Sequence, residues 1–470
     1  MRQATRSVDA TDRRFDGRRT AALLQRERER YERTTSASRD RHDAAREHLA
    51  GGVGSSYQML QPWPLHLVRG LGSHVWDVDG TARIDVHAGF GAMVQGHAHP
   101  AIAQAVSASM LRGTHLGAPC DDAHAVAAEL ARRWQLPLWR FTTSGSEATM
   151  DALRIARAFT GRDLVMKVLG SYHGHHDALL IGLDDLGDPP SSGFWDDCVP
   201  YGRGIPGAIS DLTVGVPFND AAALGTALET LAAQDRLPAC LIMEPTMMLG
   251  MTVPEPGYLE AARAATARHG VVLIFDEVKT GLSVGPAGAT GRYGVRPDVV
   301  TLAKTLGGGV PSGAIGATRE LMELVVRGKV HQVGTFNGNP LSMSAARANL
   351  DEVLTDRAFG ALERRSARLA DACARALRAS DLPGYALSEG ARGCFTLAPE
   401  RIVDVRTFAR QRDARLDALA WFFQVNRGVY GTPARPWQWT LSVAHTDADV
   451  DRYVAVVEEL ADALAACHVN

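Results

Sequence analysis

The 470-residue sequence has no long apolar run. None of its hydrophobic stretches approaches the roughly 18 residues that a membrane-spanning helix needs. The amino terminus also lacks the hydrophobic region of a secretory signal. We therefore expect a cytoplasmic protein that has no membrane partner.

The sequence also has little net charge and few cysteines. Its formal charge of −3 argues against a general nucleic-acid binder, because such proteins carry a strong basic excess. The six cysteines are far apart and form no CxxC pair, which indicates neither a disulfide framework nor a zinc site. His173, His175 and His176 lie close together, but no carboxylate or cysteine stands at a familiar ligand spacing, so we expect no metal.

The composition, with 46% hydrophobic and 22% charged residues, is that of an ordinary globular protein of two or three domains. Residues 1–50 mix Arg with Asp and Glu and predict a helical extension. This extension is either partly disordered or an arm packed on a partner subunit. Residues 51–99 predict strands and turns, with a hairpin about Asp79 and Gly80, and form the first part of a small domain.

From residue 100 onward, helical stretches alternate with short β-branched runs. This pattern is typical of an α/β fold with a mainly parallel sheet covered on both faces. We assign residues 100–345 to a large domain and residues 346–470 to the remainder of the smaller α/β domain. A loop rich in Gly, Pro and Ser at residues 187–197 is long enough to be a mobile lid.

Two predicted strands each deliver one ionisable residue at their carboxyl end. VVLIFDEVKTG places Asp276 there, and VVTLAKTLGGG places Lys304 there. Open α/β sheets bind their ligands at this edge. A desolvated lysine can form a Schiff base, and an aspartate can keep a pyridinium nitrogen protonated, so the pair indicates pyridoxal phosphate. The alternative is a solvated loop lysine and a helix-capping aspartate.

A third motif, FTTSGSEATMDALRIARAF, passes from a strand through Ser144, Gly145 and Ser146 into an amphipathic helix. The free N–H groups at the start of such a helix attract anions, and the glycine allows close approach, so the motif favours a phosphate site. The alternative is an ordinary capping box formed by Ser144 and Glu147.

Two further strand ends carry candidate contacts. Tyr172 follows the strand LVMKV, where an aromatic ring can stack on a flat cofactor, and His173 is its neighbour. Glu244 ends the strand CLIM and precedes a cluster of methionines.

Taken together, these motifs resemble one enzyme family. DVDG, GHAHP, SGSEAT, YHGHHD, IFDEVKTG, TLAKTLGGG and GTFNGNPLSM occur in an order that resembles the class III (fold type I) pyridoxal phosphate-dependent aminotransferases. The resemblance is greatest to the glutamate-1-semialdehyde 2,1-aminomutase-like branch, which includes β-amino-acid aminotransferases, and it runs from about residue 51 to the carboxyl terminus.

The resemblance implies a role for each matching residue. Lys304 would carry the internal aldimine, Asp276 would pair with the ring nitrogen, and Val278 would pack under the ring. The implied phosphate and ring contacts are Ser144, Gly145, Ser146, Tyr172 or His173, and Glu244. Thr335 would reach the phosphate of the neighbouring subunit, which implies a homodimer with shared active sites.

The sequence departs from the branch where a substrate carboxylate is expected to bind. An arginine is implied in the segment that here reads GGVGSSYQM, and it is missing. Our candidate substrate-binding residues are Ser55, Gln58, Phe90, Met248 and Arg435. Arg435, in the turn TPARPW, is the arginine that could replace the missing one, whereas the methionines after Glu244 suit a less polar substrate or belong to the core.

These features lead to a first expectation about function. We expect an aminotransferase that moves an amino group from a small-molecule donor to a carbonyl acceptor. The alternative is an intramolecular 2,1-aminomutase, which would use the same residues. A non-catalytic protein that retains the fold is a third possibility.

Overall fold

The largest sheet of the protein has seven strands. This description rests on a computed structural model, which describes residues 14–183, 190–433 and 435–469. The strands are β1 (Leu67–Leu71), β2 (His74–Asp77), β3 (Ala82–Asp85), β4 (Leu138–Thr142), β5 (Val165–Val168), β6 (Ile181–Gly182), β7 (Val199–Pro200), β8 (Thr213–Val216), β9 (Cys240–Met243), β10 (Val272–Asp276), β11 (Val299–Leu302), β12 (Gly313–Ala317), β13 (Tyr385–Glu389), β14 (Arg392–Thr396), β15 (Val429–Tyr430) and β16 (Gln438–Thr440).

The helices precede, connect and follow these strands. They are α1 (Gly17–Thr34), α2 (Ser36–Ala45), α3 (Ala88–Gly91), α4 (Pro100–Arg112), α5 (Asp121–Trp134), α6 (Gly145–Thr160), α7 (Gly207–Ser210), α8 (Ala221–Ala233), α9 (Tyr258–Arg268), α10 (Gly288–Tyr293), α11 (Arg319–Val326), α12 (Pro340–Ala348), α13 (Asp356–Ala379), α14 (Val405–Gln411), α15 (Ala414–Val425) and α16 (Asp447–Ala465). Short 3-10 turns include Ser56–Gln58 and Lys304–Gly307.

The strand order of the large sheet is β4-β12-β11-β10-β9-β5-β8. Neighbouring strands from β11 to β8 run parallel, and β12 runs antiparallel to both β11 and β4. It follows that β4, β5, β9, β10 and β11 all end at the same edge of the sheet. The expected mainly parallel α/β sheet is confirmed, with β12 as its antiparallel member.

Both faces of this sheet are buried, as the continuous β-branched runs predict. In β10, Val272 and Ile274 pack in one apolar cluster with α6 and α11, whereas Leu273 and Phe275 belong to the apolar cluster on the other face. Because side chains alternate along a strand, one five-residue run serves both clusters. The strand end that carries Asp276 is therefore held rigidly.

Smaller sheets are built from the two ends of the chain. The predicted hairpin about Asp79 and Gly80 is confirmed, because β2 and β3 pair antiparallel across that turn. β15 pairs parallel with β3, and β13, β14 and β16 form a separate antiparallel sheet. We keep the division at residues 51, 100 and 346 as a proposal.

The amino-terminal segment packs on its own chain in the part that is described. The ring of Tyr31 in α1 is buried against Trp421 and Phe422 of α15, and its hydroxyl donates to the backbone oxygen of Trp63 at 2.8 Å. Glu27 also pairs with Arg427 at 3.1 Å. Residues 1–13 lie outside the described residues.

The predicted lid at residues 187–197 is only partly described, because residues 184–189 lie outside the described ranges. Trp195 is buried, and its backbone exchanges hydrogen bonds with Gly215 of β8 at 2.9 and 3.0 Å. This half of the segment is attached to the sheet edge, so it gives the lid hypothesis no support. Among the helices that the structure describes, none combines the length and apolar character needed to span a bilayer.

Candidate active site

The candidate residues gather at one edge of the large sheet. Each follows or ends one of five strands whose carboxyl ends lie at this edge. Their places are Ser144 to Ser146 after β4, Tyr172 and His173 after β5, Glu244 after β9, Asp276 at the end of β10 and Lys304 after β11. Residues far apart in sequence thereby meet, as the strand-end argument predicts.

Asp276 is held by contacts to both of its carboxylate oxygens. Oδ1 accepts from the backbone N–H of Val278 at 3.0 Å and from the hydroxyl of Thr301 at 3.1 Å. Oδ2 lies 2.7 Å from His173 Nδ1, and this contact requires a proton on Nδ1 because a carboxylate only accepts. Both side chains are buried. The orientation of the carboxylate is therefore fixed before any ligand arrives.

Lys304 has an unusual backbone conformation and a perturbed amine. Its φ of 46° lies in the left-handed region, which residues with a side chain rarely adopt. Burial lowers the pKa of Lys304, while the nearby carboxylates of Asp276 and Glu244 oppose this change and Arg392 adds to it. A lowered pKa leaves more of the amine neutral, and the neutral amine is the nucleophilic form.

The start of α6 offers backbone donors to an anion. Ser144 is the N-cap residue, and its hydroxyl accepts from the N–H of Glu147 at 3.2 Å. The reciprocal half of a capping box is absent from these residues, because Glu147 accepts from the N–H of Thr143 at 2.7 Å instead. First-turn N–H groups have no partner within a helix, so those of Gly145 and Ser146 are available.

Two glycines allow close approaches around this helix start. A Cβ at Gly145 would lie 2.8 Å from Val278 Cγ1, and a Cβ at Gly174 would lie 2.5 Å from Ser146 Oγ. Ser146 Oγ also accepts from the N–H of His175 at 3.2 Å. The helix start, the turn after β5 and Val278 therefore enclose a narrow space that larger residues would fill.

Glu244 connects the two turns that border this space. Its Oε1 accepts from the N–H of Tyr172 at 2.9 Å, and its Oε2 accepts from the N–H of Met248 at 3.0 Å. Burial raises the pKa of Glu244, whereas His173 and these two N–H donors oppose the change and Asp276 adds to it. The carboxyl group thus connects the turn after β5 to the turn after β9 through these two hydrogen bonds.

A cavity of about 400 Å³ lies between these elements. The expected residues that line it are Ser144, Gly145, Ser146, Tyr172, His173, Glu244, Met248, Asp276, Val278 and Lys304. Both alternatives for the ring face, Tyr172 and His173, line the cavity, and His173 also contacts Asp276 through Nδ1.

Five expected residues, Arg435 among them, do not line the cavity in the single chain. Ser55, Gln58 and Thr335 are exposed, and Phe90 is 36% exposed. Between Ser55 and Gln58, however, the ring of Tyr57 packs beside two other rings. Its centroid lies 5.3 Å from that of Phe90 and 6.0 Å from that of Tyr172. The segment GGVGSSYQM therefore approaches the site through Tyr57, which sequence reasoning did not select as a contact.

Arg435 lies close enough to the site to interact with its charged groups. Burial lowers the pKa of its guanidinium, and the Glu244 carboxylate and Tyr57 are the main opposing influences. Within the described ranges, no carboxylate forms an ion pair with it. Arg435 does not line the cavity, so its binding of a substrate carboxylate stays a prediction.

Two cationic residues near the cavity were missed by sequence reasoning. Lys279 lines the cavity. Arg392 is 2% exposed, and no hydrogen-bond partner for its Nη1 occurs among the described residues. The only sequence signal for Lys279 was its position three residues after Asp276. No sequence signal marked Arg392, because it lies on β14, in a different sheet from the strands that carry the site.

Comparisons with known proteins identify the family. Residues 56–396 match the profile of the family described as Aminotransferase class-III. The chain is 36% identical over 440 residues to glutamate-1-semialdehyde 2,1-aminomutase 2 of Geobacillus kaustophilus, which covers 92% of this chain and 98% of that protein.

Two solved structures are also similar. A glutamate-1-semialdehyde-aminomutase from Pseudomonas aeruginosa, crystallised in complex with PMP, superposes with a TM-score of 0.88 at 30% identity, covering 96% of this chain and 100% of that one. An omega-transaminase from Sphaerobacter thermophilus superposes with a TM-score of 0.84 at 32% identity, covering 92% and 98%. The chain described here belongs to the class-III aminotransferase family.

Proposed function

We propose that this protein, which as a class-III aminotransferase family member uses pyridoxal 5'-phosphate, moves an amino group on a small carboxylated substrate. The observation that carries the proposal is the meeting of Lys304, Asp276 and the start of α6 at one cavity. These three features match the three functional groups of the cofactor, namely its carbonyl carbon, its ring nitrogen and its phosphate.

The residues present fit this cofactor. The amine of Lys304 has a pKa lowered by burial, which suits a covalent link to a carbonyl carbon. Asp276 is a fixed buried carboxylate that can pair with a protonated ring nitrogen. A Cβ at Gly145 would lie only 2.8 Å from Val278 Cγ1, so a larger residue would not fit there, and the adjoining cavity of about 400 Å³ has the volume for a flat ring and a phosphate. A related structure in complex with PMP supports the same fit.

When bound, the cofactor supplies an electron-withdrawing ring that stabilises negative charge on the substrate carbon next to nitrogen. The chain supplies the remaining functions. Lys304 Nζ would hold the cofactor, take the proton that this substrate carbon loses and deliver it to a different carbon, the carbonyl carbon of the cofactor. Asp276, oriented by His173, keeps the ring nitrogen protonated. Arg435 binds the substrate carboxylate.

Two candidate reactions remain, and the relatives favour the one that was second from the sequence. Relatives at 36% identity over nearly the whole chain are named glutamate-1-semialdehyde 2,1-aminomutases, which supports an intramolecular shift of the amino group. The first expectation, transfer between two substrates, is supported by the departure at GGVGSSYQM and by the similar omega-transaminase.

One experiment separates these reactions. The cofactor-loaded protein is incubated with glutamate-1-semialdehyde and no other amine or carbonyl compound. An isomeric product, formed at a rate that an added keto acid does not change, supports the aminomutase. Turnover that requires an added amino acceptor supports the aminotransferase. If neither this substrate nor a panel of amines changes the visible absorbance of the bound cofactor, the proposal fails.

We also propose a homodimer with shared active sites. Thr335 is exposed and outside the cavity of its own chain, close in sequence to Val333 and Phe336, which are 66% and 56% exposed. Phe336 contacts the ring of His115, and nearby in sequence Leu111 is 90% exposed. Exposed apolar residues of this size favour burial against a second chain. In that arrangement Thr335 would reach the phosphate of the partner's cofactor.

A further inference from the structure

Lysine is rare in this chain. Only four of its 50 basic Lys and Arg residues are lysines, at positions 167, 279, 304 and 329. Lys329 lies on the surface, whereas burial lowers the pKa of each of the other three. A lysine amine can lose its charge when it is desolvated, and an arginine guanidinium does not. Lys279 is the one of these three that has no role in the proposed reaction and still lines its cavity.

The amine of Lys279 is hydrogen-bonded to the segment Ala88–Gly91, which is labelled α3 above and forms a single turn. Its Nζ donates to the backbone oxygen of Phe90 at 3.0 Å. The turn also surrounds the amine closely, because a Cβ at Gly91 would lie only 2.1 Å from Lys279 Nζ. The side chain therefore connects the end of β10, which carries Asp276, to a segment from the amino-terminal part of the chain.

This turn has a conformation that needs such support. The φ angles of Ala88, Gly89, Phe90 and Gly91 are 48°, 56°, 61° and 84°, so four consecutive residues are in the left-handed region. Ala88 and Phe90 carry side chains, for which this region is unfavourable, and such a backbone persists only where its surroundings hold it.

Besides backbone hydrogen bonds of its own, such as that from the N–H of Ala92 to the oxygen of Ala88 at 2.8 Å, three side-chain hydrogen bonds hold the turn, and two of them come from the candidate active site. Asp85 accepts from the N–H of Ala88 at 2.9 Å at the start of the turn. At its end, the hydroxyl of Thr305, next to Lys304, donates to the oxygen of Gly91 at 3.1 Å. The third contact is the Lys279 hydrogen bond.

This turn also positions three aromatic side chains beside the cavity, Phe90, Tyr57 and Tyr172, which we call the aromatic rim. The ring centroid of Phe90 lies 4.2 Å from that of His87 and 5.3 Å from that of Tyr57. The ring centroids of Tyr57 and Tyr172 are 6.0 Å apart. Tyr172 lines the cavity, as does Gly89 of the turn. A change in the position of the Phe90 backbone would therefore move Tyr57 relative to Tyr172.

We propose that Lys279 is a positioning residue, which through its hydrogen bond to Phe90 fixes the aromatic rim of Phe90, Tyr57 and Tyr172 and thereby sets which substrate side chains fit. The kinetic part of this inference rests on the proposed function, and the structural part does not.

The electrostatics of the site explain why a lysine suits this position. Desolvation lowers the pKa of Lys279 well below its usual value, and Arg392, Lys304 and Arg435 act in the same direction, against Glu244. A neutral amine can donate to the Phe90 oxygen without adding a further positive charge beside Arg392 and Arg435. An arginine would have to keep its charge.

The test compares Lys279→Met, which keeps the length of the side chain but removes the donor, with Lys279→Gln, which keeps a donor. Lys329→Met, at an exposed position, is the matched control. Hydrogen exchange of the backbone amides at residues 86–92 is measured in the cofactor-free protein, so that this readout does not depend on activity. We expect exchange in Lys279→Met to be at least about tenfold faster, with partial recovery in Lys279→Gln and no change in the control.

The second readout uses two carboxylated amines that differ in side chain, 3-amino-3-phenylpropanoate and 3-aminobutanoate, and follows the absorbance of the bound cofactor. In Lys279→Met, KM for the phenyl compound should change by about tenfold relative to the smaller amine, while kcat stays within about twofold. Unchanged exchange at residues 86–92 would overturn the proposal, even if the protein proved inactive toward every amine. A loss of kcat with unchanged KM would also overturn it, because Lys279 would then take part in the chemistry.

Discussion

His173 Nδ1 lies 2.7 Å from Asp276 Oδ2, and the two side chains are 1% and 2% exposed. The histidine thus orients the carboxylate that is proposed to face the cofactor ring. Because the residues are separated by 103 positions in the chain, the contact depends on β5 and β10 ending at the same edge of the sheet.

Replacing Asp276 by Asn should preserve cofactor binding but reduce kcat by about 100-fold or more, because a neutral amide cannot keep the ring nitrogen protonated. The visible spectrum and single-turnover rates of the loaded variant measure both effects. His173→Phe, which keeps the carboxylate but removes its orienting contact, should have a smaller effect on kcat. Near-wild-type turnover of Asp276→Asn would remove this residue from the mechanism.

Lys304→Ala should abolish turnover and the visible absorbance of the lysine-linked cofactor while leaving the fold intact. The reason is that the covalent link needs the amine, whereas the core residues around β11 do not depend on it. Absorbance spectra, together with circular dichroism, provide the measurement, and Lys329→Ala is the control at an exposed site. An unchanged spectrum in Lys304→Ala would mean that another lysine, such as Lys279, carries the cofactor.

The positions of Asp276 and Lys304 could be predicted because the residues next to them in the sequence determine their place at a strand end. A β-branched run followed by Asp276 or Lys304 indicates a buried strand and its carboxyl end, and parallel pairing then brings the ends together. The same applies to the start of α6, where the turn and the helix are adjacent in sequence.

The remaining contacts could not be predicted, because they depend on packing between distant elements. Lys279 meets Phe90 only through a left-handed turn that no sequence motif marks. Arg392 comes near the cavity because β14 pairs with β16 in another sheet. Ser55 and Gln58 were selected by position within a motif, yet in the folded chain it is Tyr57 between them that approaches the site.

The proposed dimer predicts that dilution lowers cofactor affinity together with assembly. Thr335→Ala should weaken cofactor binding by about tenfold without changing the oligomeric state, because it removes one hydroxyl donor to the phosphate. Sedimentation across a concentration series, combined with cofactor titration, measures both properties. A monomer at micromolar concentration that binds the cofactor tightly would contradict the shared site.

His445 should make the protein sensitive to acid. Its ring is buried, Nδ1 accepts from the N–H of Ser442 at 2.9 Å, and burial lowers its pKa to about 4. The folded-state pKa is thus below the unfolded value of 6.5, so the unfolded chain binds the proton first as pH falls. The stability is complete above the unfolded pKa and is lost as pH decreases from 6.5 toward 4.

The measurement is the free energy of unfolding of the cofactor-free protein in urea at pH 7.5 and pH 5. We expect His445→Asn, which keeps a neutral acceptor near the Nδ1 position, to lose about 2 kcal/mol less than the wild type between these two pH values. The buried His87, whose pKa is also lowered to about 4, stays in both proteins, so the difference isolates His445. Equal losses in the two proteins would show that His445 does not contribute.

The last prediction concerns how the substrate is recognised. A carboxylate in a water-poor cavity needs a charged partner, and such a hydrogen bond contributes about 1.5–3 kcal/mol. Ser55 and Gln58 are exposed and neutral, whereas Arg435 is near Glu244 and has no ion-pair partner among the described residues. Arg435→Ala should therefore raise KM for carboxylated substrates by about 10- to 100-fold and leave KM for simple amines unchanged.

Arg435→Lys is the matched control for this prediction, because it keeps the charge but loses the two parallel donors of the guanidinium. Its KM for carboxylated substrates should lie between those of the wild type and Arg435→Ala. Steady-state kinetics with pairs of amines that differ only in the carboxylate provide the measurement. If Arg435→Ala changes nothing and amines without a carboxylate react well, the cavity is built for a neutral substrate. Efficient turnover of glutamate-1-semialdehyde that is insensitive to Arg435 would exclude both explanations and require another cation, for which the buried Arg392 is a candidate.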